Sequence, residues 1–215
     1  MKTIYFGIAV TLIASAAIAT LVAYPHLSAE VPTHWGIHDQ VNGYSPKWAL
    51  FLIGPGVMAF VTLIIYAMPW LSPKHFEVDS FRPTSLYIMM LMVVSLGYFY
   101  AILLWSDLGH AIDVGRAVSG GVCLLFALLG NVLGKVRRNF YIGVRTPWAL
   151  ANERVWNATH RFAAKTFVFA GLFGLTFTLL GYDFWPMLVA VSLGALSPIV
   201  YSLMVYKQME RRGEL

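Results

Sequence analysis

Six stretches of the chain, at roughly 4–24, 48–70, 85–105, 117–134, 166–182 and 184–206, run apolar without Asp, Glu, Lys, Arg or His. A helix needs about 20 such residues to cross the hydrocarbon of a bilayer. The pattern therefore predicts an all-α integral membrane protein with six transmembrane helices. The fourth and fifth stretches are short and extend past Arg116 and Lys165, whose long side chains reach back to the interface. Pro55, within Gly54-Pro55-Gly56, and Pro198 fall inside the second and sixth stretches. Each removes a backbone donor and crowds the preceding turn, which predicts kinks. Small residues recur at four-residue spacing in Gly115-x3-Ser119, Ala117-x3-Gly121, Gly130-x3-Gly134 and Ala170-x3-Gly174. Such spacing brings helix backbones close and reads as packing between spans.

Composition agrees with this picture. Of 215 residues, 59% are hydrophobic and 12% charged, against roughly 25% charged in an ordinary globular domain. Counting Lys and Arg in the connections places 13 on one side and only Lys47 and Arg116 on the other. Positive charge accumulates on the cytoplasmic side, so the expected topology is N-in/C-in. The net charge of +5 follows from that asymmetry, and no direct nucleic-acid contact is expected. Ala14-Ser15-Ala16 and Ala17-Ile18-Ala19 resemble small-residue cleavage sites. The apolar run nevertheless continues to Tyr24 and no polar region follows either site, so the segment reads as a span. Cys123 has no second cysteine to pair with. Spans empty of ionisable groups lack the relays of proton-coupled pumps. They also lack the histidines and carboxylates that intramembrane proteolysis needs, so any chemistry sits at the two faces.

The longest outer connection covers 25–47. It holds His26, His34 and His38, with His110 in the next outer connection, beside Asp39, Asp107, Asp113 and Asp183. His34 and His38, four apart, would share one side of a helix, as a divalent-metal site requires. Pro32 and Gly36 argue against a helix there. Asn42-Gly43 signals a turn and hence a bent, hairpin-like loop, and Asp113 has an ion-pair partner in Arg116 three residues on. A metal site at His26, His34, His38 and His110 is one alternative. The other is a loop whose histidines bond to neighbouring backbone. The surface a ligand from outside would meet comprises His34, Trp35, Asp39, Tyr44 and Lys47.

On the inner side, 135–161 is the segment richest in Arg and Trp. Thr146-Pro147 reads as a helix start, a hydroxyl cap followed by proline at the first helical position. At about 100° per residue, Glu153, Arg154, Asn157, His160 and Arg161 gather on one face and Trp148, Ala151, Val155, Ala158 and Phe162 on the other, with Trp156 at the border. This predicts an amphipathic cytoplasmic helix leading into the fifth span. It would either lie among lipid headgroups or present a docking surface for a cytosolic partner.

Two blocks of letters are specific. One is Gly130-Asn131-x2-Gly134-Lys135-Val136-Arg137-x-Asn139-x3-Gly143-Val144-Arg145-Thr146-Pro147-Trp148 followed by Val155-Trp156-x2-Thr159-His160-Arg161. The other is Val31-Pro32-Thr33-His34-Trp35 with Gly43-Tyr44-Ser45-Pro46-Lys47. The first resembles the core of the SdpI family, and the second is similar to the amino-terminal module that accompanies SdpI domains. The expected division is an amino-terminal module at 1–80 and an SdpI-like module at 81–215. The resemblance implies a multi-pass protein of the bacterial plasma membrane that gives immunity to a secreted peptide toxin. It also implies a receptor that holds a cytosolic transcriptional repressor. Candidate inner-face residues are then Asn139, Arg145, Thr146, Pro147, Trp148, Trp156, His160 and Arg161. The family supplies no catalytic residues to carry over, and this reading requires no cofactor. The alternatives are a metal-dependent enzyme at the outer face and a structural partner subunit of a membrane assembly.

Overall fold

Long apolar runs of about 20 residues between charged connections fold as helices because each then satisfies its own backbone hydrogen bonds within the hydrocarbon. The computed structural model describes residues 2–36, 40–73, 78–182 and 184–215. Among these, six helices are long and apolar enough to cross a membrane: Thr3–His26, Lys47–Leu71, Val78–Asp107, Val114–Leu133, Glu153–Leu179 and Phe184–Arg211. The chain is a multi-pass membrane protein. Its regular helices are α1 (Lys2–Ala23), α2 (Val57–Leu71), α3 (Arg82–Asp107), α4 (Val114–Leu133), α5 (Pro147–Ala151), α6 (Glu153–Leu179) and α7 (Phe184–Arg211). α6 packs most extensively against α7 and α4, while α3 packs against α1, α2 and α4 and so links the two halves.

Small residues decide how closely α4 and α6 approach. A Cβ on Gly171 would lie 2.5 Å from both the Ala127 nitrogen and the Cys123 carbonyl oxygen. In the second span Pro55 has no N–H to give, and the chain accommodates it with a π turn over Leu52–Gly56. Pro198, in contrast, lies within a helix that runs unbroken from Phe184 to Arg211.

One departure from helix among the described residues is an antiparallel hairpin of β1 (Glu30–Trp35) and β2 (Val41–Pro46). Its turn is closed by Gly36 N–H donating to the Gln40 carbonyl (2.8 Å). Asn42-Gly43, the expected turn, lies inside β2 opposite His34, where the register is irregular. Gly43 is needed there because a Cβ would meet that of His34 at 2.9 Å. The hairpin is anchored by Val31, 1% exposed, in a cluster with Leu27, Leu50, Tyr100 and Leu104. Just beneath it, Thr20 and Tyr100 share a buried hydrogen bond of 2.5 Å between α1 and α3.

α3 ends on Asp107, both of whose carboxylate oxygens are shielded from solvent with no hydrogen-bond partner among the described residues. A buried carboxylate without donors is destabilising. Asp107→Asn removes the charge and is therefore expected to raise the unfolding midpoint in detergent. A lower midpoint would mean that the carboxylate has a stabilising partner in the folded protein.

Candidate functional site

The loop that leaves α4 is built around one side chain. Asn139 is completely buried. Its amide nitrogen donates to the carbonyls of Arg137 (2.8 Å) and Ile142 (3.0 Å). Its amide oxygen accepts from the N–H groups of Tyr141 and Ile142 (2.7 Å each). All four bonds an asparagine side chain commonly makes are used, and residues 137–142 are tied into a compact knot. Gly143 follows with φ +109°, a backbone conformation that L side chains rarely adopt. Here the chain passes directly over the His160 ring.

That turn lets the Val144 N–H donate to His160 Nε2 (3.1 Å). Nδ1 then carries the ring proton toward the Trp156 carbonyl (3.0 Å), which defines the neutral tautomer. The imidazole stacks on the Trp156 indole, with centroids 3.9 Å apart. The indole N–H in turn donates to the Val136 carbonyl (2.8 Å). Trp156 and His160 thus clamp both ends of the loop onto α6.

Thr146 caps α5, accepting from the Ala149 N–H (3.2 Å), and shares a hydrogen bond with Ser202 of α7 (2.9 Å). The helix expected to run from here into the fifth span is interrupted at Asn152. This residue is extended (φ −139°) and its side chain accepts from the N–H groups of Arg154 and Val155 to start α6. Val155, Trp156, Thr159, His160 and Ala163 are buried on α6. His160 lies inward because the loop at Gly143 and Val144 covers its ring, while Glu153 and Arg161 on the same helix are exposed.

Of the inner candidates, Asn139, Thr146, Trp156 and His160 are internal; Arg145, Pro147 and Arg161 are exposed; Trp148 is half-buried. The Arg145 guanidinium donates to the Phe140 carbonyl and that of Arg138 to the Leu150 carbonyl (3.2 Å). Val136, Gly143 and Ser202 also hold this assembly together; the first two stand in the motif block without a site role assigned to them, and Ser202 lies outside it. Only Gly143, isolated in a polar loop, carried a local signal.

At the opposite end, His34 Nδ1 lies 2.5 Å from Asn42 Oδ1 across the hairpin, and His110 stacks on Trp105 at 4.0 Å. His26 is exposed. Lys47 donates to the carbonyls of Tyr24 (3.1 Å) and Leu27 (3.4 Å), with its ammonium 4.5 Å above the Tyr24 ring. Tyr44 is 61% exposed. His38 and Asp39 lie outside the described residues, as does Asp183. Among the described residues, no group of three or more His, Cys, Asp or Glu side chains is placed to hold a metal ion. Asp113 caps α4 through the Arg116 N–H (2.8 Å) and pairs with its guanidinium at 3.9 Å.

Between hairpin and helices lies a pocket of about 270 Å³. Thr33, His34, Trp35 and Gly36 form one wall, and Phe99, Leu103, Val114, Val118, Ser119 and Phe184 form much of the rest. It is mainly apolar with a few polar groups (Thr33, His34, Ser119), the usual character of a site for an organic ligand or an apolar side chain.

Residues 135–202 match the SdpI/YfhL protein family. The match begins at the loop described above and ends at Ser202, the hydrogen-bond partner of Thr146. Residues 11–59 match DUF1648, a domain of unknown function. Over 204 residues, 94% of this chain and 96% of the relative, the sequence is 26% identical to "Immunity protein SdpI" of Bacillus subtilis (strain 168). No solved structure matches the chain.

Proposed function

We propose that this chain, which joins an SdpI/YfhL segment to a DUF1648 module, is a membrane-embedded immunity protein that protects its cell from a secreted peptide toxin. The observation that carries the reading is likeness to an immunity protein over nearly the whole of both chains. In this reading both termini and the 135–161 loop are cytoplasmic, which the asymmetry of Lys and Arg supports. The toxin arrives at the hairpin, and the apolar pocket behind His34 and Trp35 receives one of its side chains. On the other side, exposed Arg145, Pro147 and Arg161 and half-buried Trp148 form the surface that holds a cytosolic repressor.

A survival assay in a toxin-sensitive Gram-positive host tests this, with membrane potential followed during peptide challenge. The chain is expected to preserve the potential. Val118→Trp, which fills the pocket from α4, is expected to reduce protection at least tenfold at equal membrane level. Collapse of the potential at the control rate, with the protein present in the membrane, overturns the immunity reading. Full protection by Val118→Trp removes the pocket from it. For the repressor, Arg145→Glu should release a membrane-held regulator without loss of protection, scored with a reporter gene.

A further inference from the structure

The first turn of α3, the turn after α4 and the exposed flank of α6 enclose a cleft of about 500 Å³. Ser80, Thr84, Lys135, Arg137, Asn157 and Arg161 supply its polar lining. Neither Lys135, Arg137 nor Arg161 forms an ion pair with a carboxylate among the described residues, where the pairs are Arg116–Asp113 and Lys207–Glu210. Two of these cations project from a rigid support. The Trp156 indole holds the Val136 carbonyl between them, and Asn139 holds that of Arg137. α3 begins at Arg82 without a side-chain cap, so the positive end of its dipole adds to the field beside Thr84. Three cations lining one cleft, with hydroxyl and amide groups and a helix start beside them, have the chemistry that a phosphate group needs. The cleft also lies at the end of the bundle where the Lys/Arg-rich connections meet, within reach of lipid headgroups if the six helices span the bilayer.

We propose that this cleft binds a phosphate group, presented either by an anionic phospholipid headgroup or by a soluble phosphate compound. The proposal does not rest on the immunity reading. Full-length protein in neutral detergent is titrated with short-chain phosphatidylglycerol and, separately, with inorganic pyrophosphate. At least one probe should bind saturably at one per chain. The double variant Arg137→Gln/Arg161→Gln should weaken it tenfold or more, whereas Arg211→Gln/Arg212→Gln, with the same loss of charge at the end of α7, should bind as the parent does. Binding of the lipid alone or of pyrophosphate alone each supports the site and identifies its source. No binding of either probe, equal weakening by both double variants, or full binding by the cleft variant overturns it. Lys135→Gln, a single exposed change, repeats the test should the double variant prove unstable.

Discussion

Gly143→Ala is expected to destabilise the folded protein by about 3 kcal/mol, the sum of a left-handed backbone penalty and a lost buried hydrogen bond. The residue sits at φ +109° with its missing Cβ directed at His160 Nε2. Alanine must therefore move either the loop or the imidazole, and both motions break the bond from the Val144 N–H. The displaced ring also lies against Trp156, so the indole bond to Val136 is disturbed in turn. Unfolding in detergent measures the effect. Made in a His160→Ala background, where the ring and its bond are already gone, Gly143→Ala should cost only the backbone share. A loss below about 1 kcal/mol for Gly143→Ala alone would mean that the loop does not rest on His160.

Gly171→Val should have a comparable effect on the bundle itself, again about 3 kcal/mol. The two nearest atoms to its absent Cβ are backbone, the Ala127 nitrogen and the Cys123 carbonyl oxygen at 2.5 Å. No rotamer change relieves such contacts, so α4 and α6 must separate. Separation loosens neighbouring close approaches as well, since a Cβ on Gly130 would meet the Val168 nitrogen at 2.7 Å and one on Gly174 the Cys123 sulfur at 2.6 Å. Gly134→Ala is the control: its new Cβ would lie 3.8 Å from that of Ala164, ordinary contact. A midpoint shift of equal size for both variants would show that the crossing tolerates added bulk.

The spans were readable in the letters because a charge-free apolar run has few other places to be. The start of α5 was equally readable, since Thr146 caps it and Pro147 follows. What escaped depends on groups distant along the chain. A helical wheel sets His160 with Glu153 and Arg161, and it lies inward because the loop around Gly143 and Val144 covers that part of α6. Its actual partner is a backbone N–H 16 residues earlier, which no periodicity reveals. The hairpin was legible in kind but not in register. Asn42-Gly43 is a strong turn pair, yet the bond from Gly36 to Gln40 closes the turn earlier, and Gly43 instead relieves crowding against His34. The outer pocket was only half visible, because Phe99, Val118 and Phe184 look like lipid-facing residues until the fold brings His34 and Trp35 beside them.

The loop around Asn139 also bears on the order in which the protein is made. Its four hydrogen bonds span two or three residues, so they are complete once residue 142 has left the ribosome. The indole that secures Val136 arrives 20 residues after its partner, and the serine that meets Thr146 arrives 56 residues after it. The knot can therefore form while the last two spans are still being synthesised. Trp156, His160 and Ser202, which fix its two ends to α6 and α7, are made only afterwards.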